Sequence, residues 1–284
     1  MIEKPMLANR ISYEDLKNLE NYVFEPKYDG SRNLFLVNLD TGEFVLKRRN
    51  SRLNVFQVVS REQFPEFNLE LFERILEPNV RSIILDGEMV VDEGFDILMS
   101  RTHVADRMRI KLMSEMYPAQ FVAFDVLSLN GRDLTQYPLW KRRKMLEKSI
   151  IPNRTIGVVE QFEEEPQKLF EQFLKNGYEG VMAKNRDSKY VQKRSNDWLK
   201  CKKHFTETLE ILGYDTQSKS RPQKNLCLSV PVLNLITKLG RVTVPRAESQ
   251  KYFYDYKPRF VEVEFQELSK NGVMRFPKFI RFVR

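Results

Sequence analysis

The sequence predicts an α+β protein built from two parts, and three observations support this prediction. Over the first two thirds of the chain, apolar runs of strand length alternate with segments of helical period. Past Lys203, strand-like runs follow one another, separated by turn residues with room only for short helices. The length of 284 residues fits one large or two ordinary domains. We therefore expect domains at residues 1–203 and 204–284.

The first part should open with strands. Val23 to Leu39 predicts two strands joined by a turn at Asp29-Gly30, and Phe44 to Lys47 predicts a third strand. Arg61 to Leu76 has the apolar spacing of a helix, with Pro65 in its first turn. The remaining predicted elements are a hairpin over Ile83–Val91 that turns at Asp86-Gly87, a strand over Phe121–Leu129, helices over Leu139–Ile150 and Gln167–Asn176, and short strands at Val181–Ala183 and Trp198–Leu199.

The second part should be a small β-barrel. Its predicted strands are Thr208–Tyr214, Leu226–Leu233, Arg241–Val244, Arg259–Phe265 and Phe279–Val283. Several short strands in a segment of this length are typical of a small barrel, and an oligonucleotide-binding fold (OB-fold) is the form we expect. Thr216 to Asn225 is rich in Ser, Gln, Lys and Arg, which predicts a mobile basic loop.

Composition restricts the function before any motif is considered. Lysine and arginine number 47 and aspartate and glutamate 39, which gives a net charge of +8. This excess favours a polyanionic partner such as nucleic acid, although a merely basic enzyme would show the same balance. With two histidines, and two cysteines without metal-binding spacing, any metal should sit on carboxylates, which suits Mg²⁺ or Mn²⁺. The chain shows no signal core and no membrane-spanning apolar run, so we expect a cytoplasmic protein without a membrane partner.

The segment Lys27-Tyr28-Asp29-Gly30-Ser31-Arg32 is the most informative one in the chain. A lysine at a glycine turn beside an aspartate and an arginine could be a covalent nucleophile. An amine must be neutral to attack, and a nearby guanidinium or metal ion disfavours the ammonium form. A surface hairpin with a salt bridge explains these six residues equally well, because short motifs match by chance. The rest of the chain has to decide between the two.

Later in the chain, three residues could contact a bound nucleotide: Asp86, Glu88 and Phe124. Asp86 and Glu88 offer two carboxylates for a metal or a ribose hydroxyl, although a plain hairpin turn is the commoner explanation. Phe124 lies in an apolar strand, on the face opposite Phe121, and could stack on a purine. A phenylalanine in an apolar strand is nevertheless more often part of the core.

Two later segments could bind phosphates. Glu179 and Lys184 place an acid and a lysine at opposite ends of a short strand. Lys200 and Lys202 share one strand face, where like charges need water or an anion between them, although a solvated face is the commoner case. Phosphoryl transfer requires mainly positioning and charge neutralisation. All these parts, in this order, are compatible with one nucleotide pocket.

The set of motifs resembles that of ATP-dependent DNA ligases of the covalent nucleotidyltransferase superfamily. The matching segments are Lys27–Arg32, Arg49-Asn50, Leu85–Glu88, Phe121–Leu127, Glu179–Lys184 and Trp198–Lys202. The linking segments Asp187–Tyr190, Arg194–Lys200 and Asn130–Leu134 are similar to the ligase module of bacterial and archaeal end-joining repair ligases. The resemblance covers nearly the whole chain. It implies a nucleotidyltransferase (adenylation) domain of antiparallel sheets with flanking helices, followed by an OB-fold domain.

The resemblance also implies a reaction in three steps. Lys27 takes AMP from ATP as a phosphoramidate, the AMP passes to the 5′-phosphate of a nick in double-stranded DNA, and the 3′-hydroxyl displaces the AMP. Mg²⁺ or Mn²⁺ neutralises phosphate charge throughout. The implied roles are sealing assistance by Asp29, adenine contacts by Glu25 and Phe124, ribose or 5′-phosphate contacts by Arg32, Arg49 and Glu88, phosphate contacts by Lys200 and Lys202, a place in the nucleotide site for Lys184, and metal binding by Glu179 with Asp86.

The chain departs from the family pattern at its tail. The family ends its barrel with an Arg-x-Asp-Lys type motif that orients the pyrophosphate, whereas here Arg284 comes last. Either the sequence stops short of the rest of this motif, or Arg284 contacts the nucleotide alone, and in that case we expect self-adenylylation to suffer more than sealing. We expect no DNA-clasping domain before Met1, so grip on DNA should come from the barrel and from basic patches. The candidate patches are Lys47-Arg48-Arg49 with Arg52, and Lys141–Lys144, which is more often a solvated helix end.

Two other functions stay open at this point. The first is a related enzyme with another substrate, either an RNA ligase or an RNA-capping guanylyltransferase, and the text around Asp197-Trp198 favours the DNA ligase. The second is a DNA-end-binding module that keeps the fold without the chemistry, and the intact Lys27 argues against it. Our prediction is a monomer that acts in DNA repair or replication, with recruitment by repair factors and, in a prokaryote, association with the nucleoid.

Overall fold

A computed structural model describes residues 2–217, 232–245, 247–249, 258–269 and 271–283. The chain divides into two compact units, Met1–Cys201 and Lys202–Arg284. Within the described residues, none of the helices has the length and apolar composition needed to span a bilayer.

The first unit contains two β-sheets. Its strands are β1 (Leu7–Arg10), β2 (Tyr22–Lys27), β3 (Ser31–Asn38), β4 (Glu43–Asn50), β5 (Val55–Val58), β6 (Ser82–Val90), β7 (Gln120–Leu129), β8 (Arg132–Asp133), β9 (Ile156–Val158), β10 (Gly180–Asn185) and β11 (Arg194–Lys202). The smaller sheet has the order β1-β11-β10-β2, and the larger has the order β5-β4-β3-β6-β7-β8 with β9 beside β7. Because β1 runs parallel to β11 and β9 parallel to β7, the sheets are mixed rather than antiparallel as predicted.

Five helices accompany these sheets in the described residues. They are α1 (Leu69–Ile75), α2 (Phe95–Arg101), α3 (Arg107–Met116), α4 (Leu139–Glu147) and α5 (Pro166–Lys175), and a 3₁₀ turn covers Glu14–Asn18. The prediction that α1 begins at Arg61 is wrong. The helix starts after Asn68, whose side chain accepts a hydrogen bond from the Leu71 amide at 2.9 Å. Phe64 and Phe67 are buried by turns before the helix, and this burial produced the helical spacing.

The elements of the first unit form four layers. One apolar cluster packs α1, α2 and α4 against the outer face of the larger sheet, through residues such as Phe35, Phe72 and Phe121. A second cluster fills the space between the two sheets, with Leu34 from one sheet and Trp198 from the other. A third packs α5 on the outer face of the smaller sheet. Of these three apolar clusters, only the one between the sheets contains buried side chains from both sheets.

The turn after Lys27 joins the two sheets instead of closing a hairpin. The strands predicted on either side of it exist, but β2 pairs with β10, whereas β3 pairs with β4 and β6. Lys27 therefore ends a strand of the smaller sheet, and Arg32 starts a strand of the larger one. A Cβ at Gly30 would lie 2.4 Å from the Met89 carbonyl oxygen, so only glycine lets the turn pass β6 this closely.

The predicted hairpin at Asp86-Gly87 is wrong, because β6 runs unbroken from Ser82 to Val90. The glycine serves close packing. A Cβ at Gly87 would lie 2.4 Å from Cζ of Phe121 and 2.6 Å from the Val122 carbonyl oxygen. Since residues two apart share a strand face, Asp86 and Glu88 point the same way, toward the layer between the sheets. A straight strand therefore brings the two acids together more effectively than a turn would.

We expect Gly87→Ala to lower the free energy of unfolding by about 2–3 kcal/mol, because the new methyl group overlaps a buried ring and a backbone oxygen. Gly157→Ala in β9 is the matched control. Its Cβ would meet no atom within 4 Å, so its effect should stay within about 1 kcal/mol. Urea unfolding of both variants measures the difference, and equal stabilities would contradict the packing role of Gly87.

A buried ion pair joins α4 to β7. Arg142 donates from Nε and Nη2 to the two carboxylate oxygens of Asp125, each at 2.8 Å, and neither side chain is exposed. Its Nη1 donates to the carbonyl oxygens of Tyr137 and Ser188. Arg142 therefore does not belong to a surface patch for DNA, contrary to the prediction for Lys141–Lys144. The pair instead holds the strand position next to Phe124.

The second unit is made of short strands around one core. They are β12 (Phe205–Glu210), β13 (Gly213–Gln217), β14 (Val232–Thr237), β15 (Gly240–Thr243), β16 (Phe260–Phe265), β17 (Glu267–Leu268), β18 (Met274–Arg275) and β19 (Lys278–Val283). Two three-stranded sheets, β12-β16-β19 and β13-β14-β15, and the pair β17-β18 share a core that includes Leu209, Leu235 and Val261.

The predicted strands of this unit are confirmed in part. Thr208 to Tyr214 is divided between β12 and β13, which belong to different sheets. The predicted strand at Leu226–Leu233 and the predicted basic loop at Thr216–Asn225 lie mostly outside the described residues. Closure into an OB-fold barrel stays a prediction.

Candidate active site

Lys27 and Glu179 meet where the smaller sheet ends. The Glu179 amide donates to the Lys27 carbonyl oxygen at 2.9 Å, and Gly180 lies opposite Lys27 in the pairing of β2 with β10. The side chains form a close ion pair between Lys27 Nζ and Glu179 Oε2, and Nζ also donates to the Tyr28 carbonyl oxygen at 3.3 Å. About a fifth of each side chain stays exposed, 19% and 22% respectively. The amine is therefore held in place and still accessible.

Arg32 and Asp86 form a bidentate pair between the sheets. Arg32 donates from Nε to Oδ1 at 2.9 Å and from Nη2 to Oδ2 at 2.6 Å, and its Nη1 donates to the Met6 carbonyl oxygen at 2.6 Å. Tyr190 donates its hydroxyl to Asp86 Oδ2 at 2.8 Å. Burial opposes the charge on Arg32, but Asp86 outweighs burial and raises the arginine's pKa. Because Asp86 is fully buried and both oxygens are bonded, its environment does not fit the predicted metal site.

Glu25 and Lys184 form a second buried pair. Lys184 Nζ lies 2.6 Å from Glu25 Oε2, and Gln161 donates to Glu25 Oε1 at 2.8 Å. The ammonium group also lies 4.2 Å from the ring centre of Phe124 and 4.4 Å from that of Trp198. Burial lowers the pKa of Lys184, and Glu25 partly offsets this effect. The two charges are therefore held below the aromatic side chains.

Phe124 is partly buried against the apolar cluster between the sheets and also lies beside charged groups. Its ring meets Trp198 edge to face, with centroids 5.9 Å apart, and the Arg32 guanidinium lies 5.2 Å from its centre. Phe121, three residues earlier, is fully buried and stacks on Phe35 at 3.9 Å in the other cluster. The prediction that Phe121 and Phe124 face opposite ways is confirmed.

Glu88 and Arg49 complete the cluster around Arg32. Glu88 lies opposite Arg32 in the β3–β6 pairing. Removal from water raises the pKa of Glu88 to about 7, although Lys27 and Arg32 act against the shift. Burial lowers the pKa of Arg49, and the charges of Arg32 and Arg194 lower it further. Three arginines within electrostatic reach of one another favour an anion between them.

Glu88→Gln should raise the free energy of unfolding at pH 8. A carboxyl group with a pKa of about 7 in the folded protein and an ordinary value of 4.5 binds its proton more tightly when folded. Its contribution to stability is complete below pH 4.5 and is lost as the pH rises through 7. The variant should therefore match the wild type below pH 4.5 and exceed it by about 1–3 kcal/mol at pH 8.

Urea unfolding from pH 4 to 8.5 measures this difference. Glu93→Gln, which removes an exposed carboxylate from a loop, should follow the wild type across the range. A Glu88→Gln variant that is less stable than the wild type at pH 8 would show that its carboxylate stabilises the site.

The other predicted residues lie on the same elements. Asp29 stands in the turn directly after Lys27. Lys200 and Lys202 alternate along β11 on the face of Trp198, while Leu199 and Cys201 pack with α5 on the opposite face. Arg284 lies outside the described residues. Within the described residues, no three His, Cys, Asp or Glu side chains cluster closely enough to form a metal site by themselves.

Sequence reasoning did not single out Tyr190, Gln161 or Arg194 as site residues. Tyr190 links Arg32 to Asp86, and Gln161 bonds Glu25 from a loop that follows β9. Single polar residues at long sequence separation give no periodic signal. For Tyr190 and Arg194, the only sequence signal was that they lie in the segments Asp187–Tyr190 and Arg194–Lys200, which are similar to end-joining ligases.

The two mixed sheets, with a lysine at their junction and buried ion pairs between them, define a nucleotidyltransferase domain of the ligase type. A family model described as the ATP dependent DNA ligase domain matches residues 5–202. The chain belongs to this ATP-dependent DNA ligase domain family.

Curated relatives are similar over much of the chain. The probable DNA ligase of Dictyoglomus thermophilum is 30% identical over 230 residues, which cover 73% of this chain and 37% of the relative. The DNA ligase of Archaeoglobus fulgidus is 30% identical over 305 residues, which cover 94% of this chain and 52% of the relative. The chain thus spans about a third to a half of the length of these two relatives.

Solved structures share the fold. A Lig E DNA ligase, described as binding DNA with a minimal scaffold, aligns over 100% of both chains with a TM-score of 0.68 and 20% identity. The ligase domain of LigD from M. tuberculosis aligns over 99% of this chain and 95% of its own, with a TM-score of 0.56 and 23% identity. The resemblance to ATP-dependent DNA ligases is confirmed.

Proposed function

We propose that this chain seals nicks in double-stranded DNA with ATP, through AMP carried on Lys27. The observation that carries the proposal is the position of the Lys27 amine. It is accessible, lies against a carboxylate, and stands at the junction from which Arg32 and Glu88 continue into the other sheet. A lysine placed only for stability would not need a neighbouring set of anion-binding groups.

The first step requires a neutral amine. Lys27 Nζ attacks the α-phosphorus of ATP, a nitrogen–phosphorus bond forms, and the bond from phosphorus to the pyrophosphate oxygen breaks. Glu179, in direct contact with Nζ, is the nearest carboxylate to receive the proton that the amine loses. In the later steps the DNA 5′-phosphate displaces Lys27, and the 3′-hydroxyl then displaces AMP. Asp29, adjacent in the turn, is proposed to assist that last attack.

Nucleotide binding falls to the layer between the sheets. Phe124 offers an aromatic surface for adenine, with Glu25 and Lys184 fixed beneath it. Arg32, Arg49 and Glu88 are proposed to contact the ribose or the 5′-phosphate of the nick. Arg32 would make this contact while its guanidinium keeps its hydrogen bonds to Asp86. The remaining proposed phosphate contacts come from Lys200, Lys202 and Arg284.

A divalent ion fits Glu179 better than Asp86. Mg²⁺ is usually held by one or two carboxylates together with substrate phosphates and water, so a single accessible carboxylate beside the nucleophile suffices. Asp86 is fully buried, and both its oxygens already accept hydrogen bonds from Arg32. When bound, Mg²⁺ or Mn²⁺ would neutralise phosphate charge.

The remaining features of the proposal concern the assembly. Residues 1–203 would form the adenylation domain and residues 204–284 an OB-fold domain that contributes to the grip on DNA. The net charge of +8 supports binding to the DNA backbone. We propose a monomer that repair factors recruit to nicks.

Sealing of a labelled nicked duplex by the purified chain tests the proposal. We expect ATP-dependent joining that falls steeply as salt rises, because phosphate contacts are lost. A pre-adenylylated nick serves as the second substrate, and sealing of that nick alone would locate a defect in the transfer of AMP from ATP to Lys27. Sealing restricted to RNA nicks, labelling by GTP instead of ATP, or binding of DNA ends without any joining would each overturn the proposal.

A further inference from the structure

A second concave site lies on the face of the larger sheet that points away from the layer between the sheets. Arg32 and Glu88 point into that layer, whereas Asn33 and Arg48, opposite each other in the β3–β4 pairing, point the other way. Together with Met89, they line a cavity of about 210 Å³. The cavity is enclosed by the turns that precede α1 and by residues at the end of α2. The cavity is thus separate from the Lys27 site, although Ser31 at its edge lies only four residues after Lys27.

The charge of Arg48 is the unusual feature of this cavity. Neighbouring arginines have partners, since Arg49 donates to Asn54 and Arg101 is bonded to Glu66. Among the described residues, none forms a hydrogen bond or ion pair with the Arg48 side chain. A guanidinium offers five N–H donors in a planar fork, which suits an oxyanion. A half-buried guanidinium without a counter-charge favours an anionic ligand.

The remaining wall of the cavity favours an anion as well. None of its ten lining residues is acidic. Besides Arg48, the hydroxyls of Ser31 and Ser60 can donate hydrogen bonds there. Gln63 Nε2 donates to the Val104 carbonyl oxygen at 3.4 Å and has a second N–H for a ligand. Apolar side chains, including Met89 and Leu98, line the rest of the cavity, and a wall of low polarity strengthens a charged contact.

The size of the cavity limits the ligand. Pockets for drug-sized ligands measure roughly 300–1,000 Å³, so 210 Å³ suits a smaller group. We propose that this cavity binds a phosphate group through Arg48, with Ser31, Ser60 and Gln63 as further donors. The group could be free inorganic phosphate or a backbone phosphate of DNA, and the chemistry of recognition is the same for both.

The test separates the two sources with the full chain. In protein with ¹⁵N-labelled arginine, the Nε–Hε signal of Arg48 is identified by its absence in Arg48→Gln. Sodium phosphate should shift this signal with saturation, whereas chloride at equal ionic strength should not. In parallel, affinity for duplex DNA is measured at several salt concentrations. If a DNA phosphate is the ligand, Arg48→Gln should reduce the slope of log affinity against log salt by about one.

Two further variants complete the design. Arg154→Gln removes an exposed arginine from a loop before β9 and should leave both readouts unchanged. Arg48→Lys keeps the charge and should keep most of the salt slope, which shows that any loss in Arg48→Gln is not misfolding. A saturable shift assigns the site to free phosphate, and a changed slope without that shift assigns it to DNA. An Arg48 signal that does not respond to phosphate, together with an unchanged salt slope in Arg48→Gln, overturns the proposal.

Discussion

Lys27→Ala should abolish the covalent adenylate. Incubation of the wild type with labelled ATP and Mg²⁺ should yield a labelled protein band and a mass increase equal to one AMP. We expect the variant to lose more than about 10⁴-fold in the rate of adduct formation, because alanine offers no nucleophile in place of the proposed amine. Sealing with ATP should be lost to the same extent.

Two variants separate chemistry from stability. Lys27→Arg keeps a cation next to Glu179 but offers no nucleophilic amine, so it should also form no adduct while unfolding like the wild type. Lys175→Ala removes an exposed lysine at the end of α5 and should be adenylylated normally. A labelled AMP adduct on Lys27→Ala would show that another residue carries the nucleotide.

Arg142→Met should destabilise the protein more than any other single change considered above. Removing the guanidinium leaves the Asp125 carboxylate buried without a partner, which typically costs about 3–5 kcal/mol. The neighbouring Arg143→Met is a matched control, because Arg143 pairs with Glu147, whose side chain is half exposed. That variant should lose no more than about 1 kcal/mol. Urea unfolding of both variants gives the comparison.

A double variant tests the cause of the loss. Arg142→Met with Asp125→Leu removes both charges, so it should recover most of the stability that the single variant loses. Equal stability of Arg142→Met and Arg143→Met would mean that Asp125 is solvated in solution. Recovery without restored activity would show that the pair positions β7 next to Phe124 as well as stabilising it.

Local patterns predicted much of the first unit. The strands β2, β3, β4 and β7 were predicted from apolar runs of strand length, and α5 from its apolar spacing and from Gly177, which adopts a φ of 85° after the helix end. Helices α2 and α3 were not predicted. Ile110 is the only buried residue of α3, and Met108, Leu112 and Met116 are exposed, so its apolar residues do not mark a face toward the core.

The site was predictable in its parts but not in its pairing. The order of the motifs placed Lys27 and Glu179 in one predicted nucleotide pocket. The structure brings them together because they lie at the ends of two strands that pair with each other. The partners of Asp86 and Glu25 were not predictable, since a carboxylate's nearest cation depends on which strands lie across the layer. Asp86 was therefore assigned to a metal, whereas the structure places Arg32 on both its oxygens. The roles of the site residues in ligation stay predictions.

Because the turn between Lys27 and Arg32 connects the two sheets, the distance between these two side chains depends on the spacing of the sheets. Lys27, the proposed nucleophile, belongs to one sheet and Arg32, proposed to bind an anion, to the other, with Leu34 and Trp198 filling the layer between the sheets. A volume change deep in that layer would therefore alter the alignment of amine and phosphate without touching either group. Substitutions in that layer should therefore change activity even where their effect on stability is small. Differences between related proteins in the substrate geometry they accept could arise from the same layer.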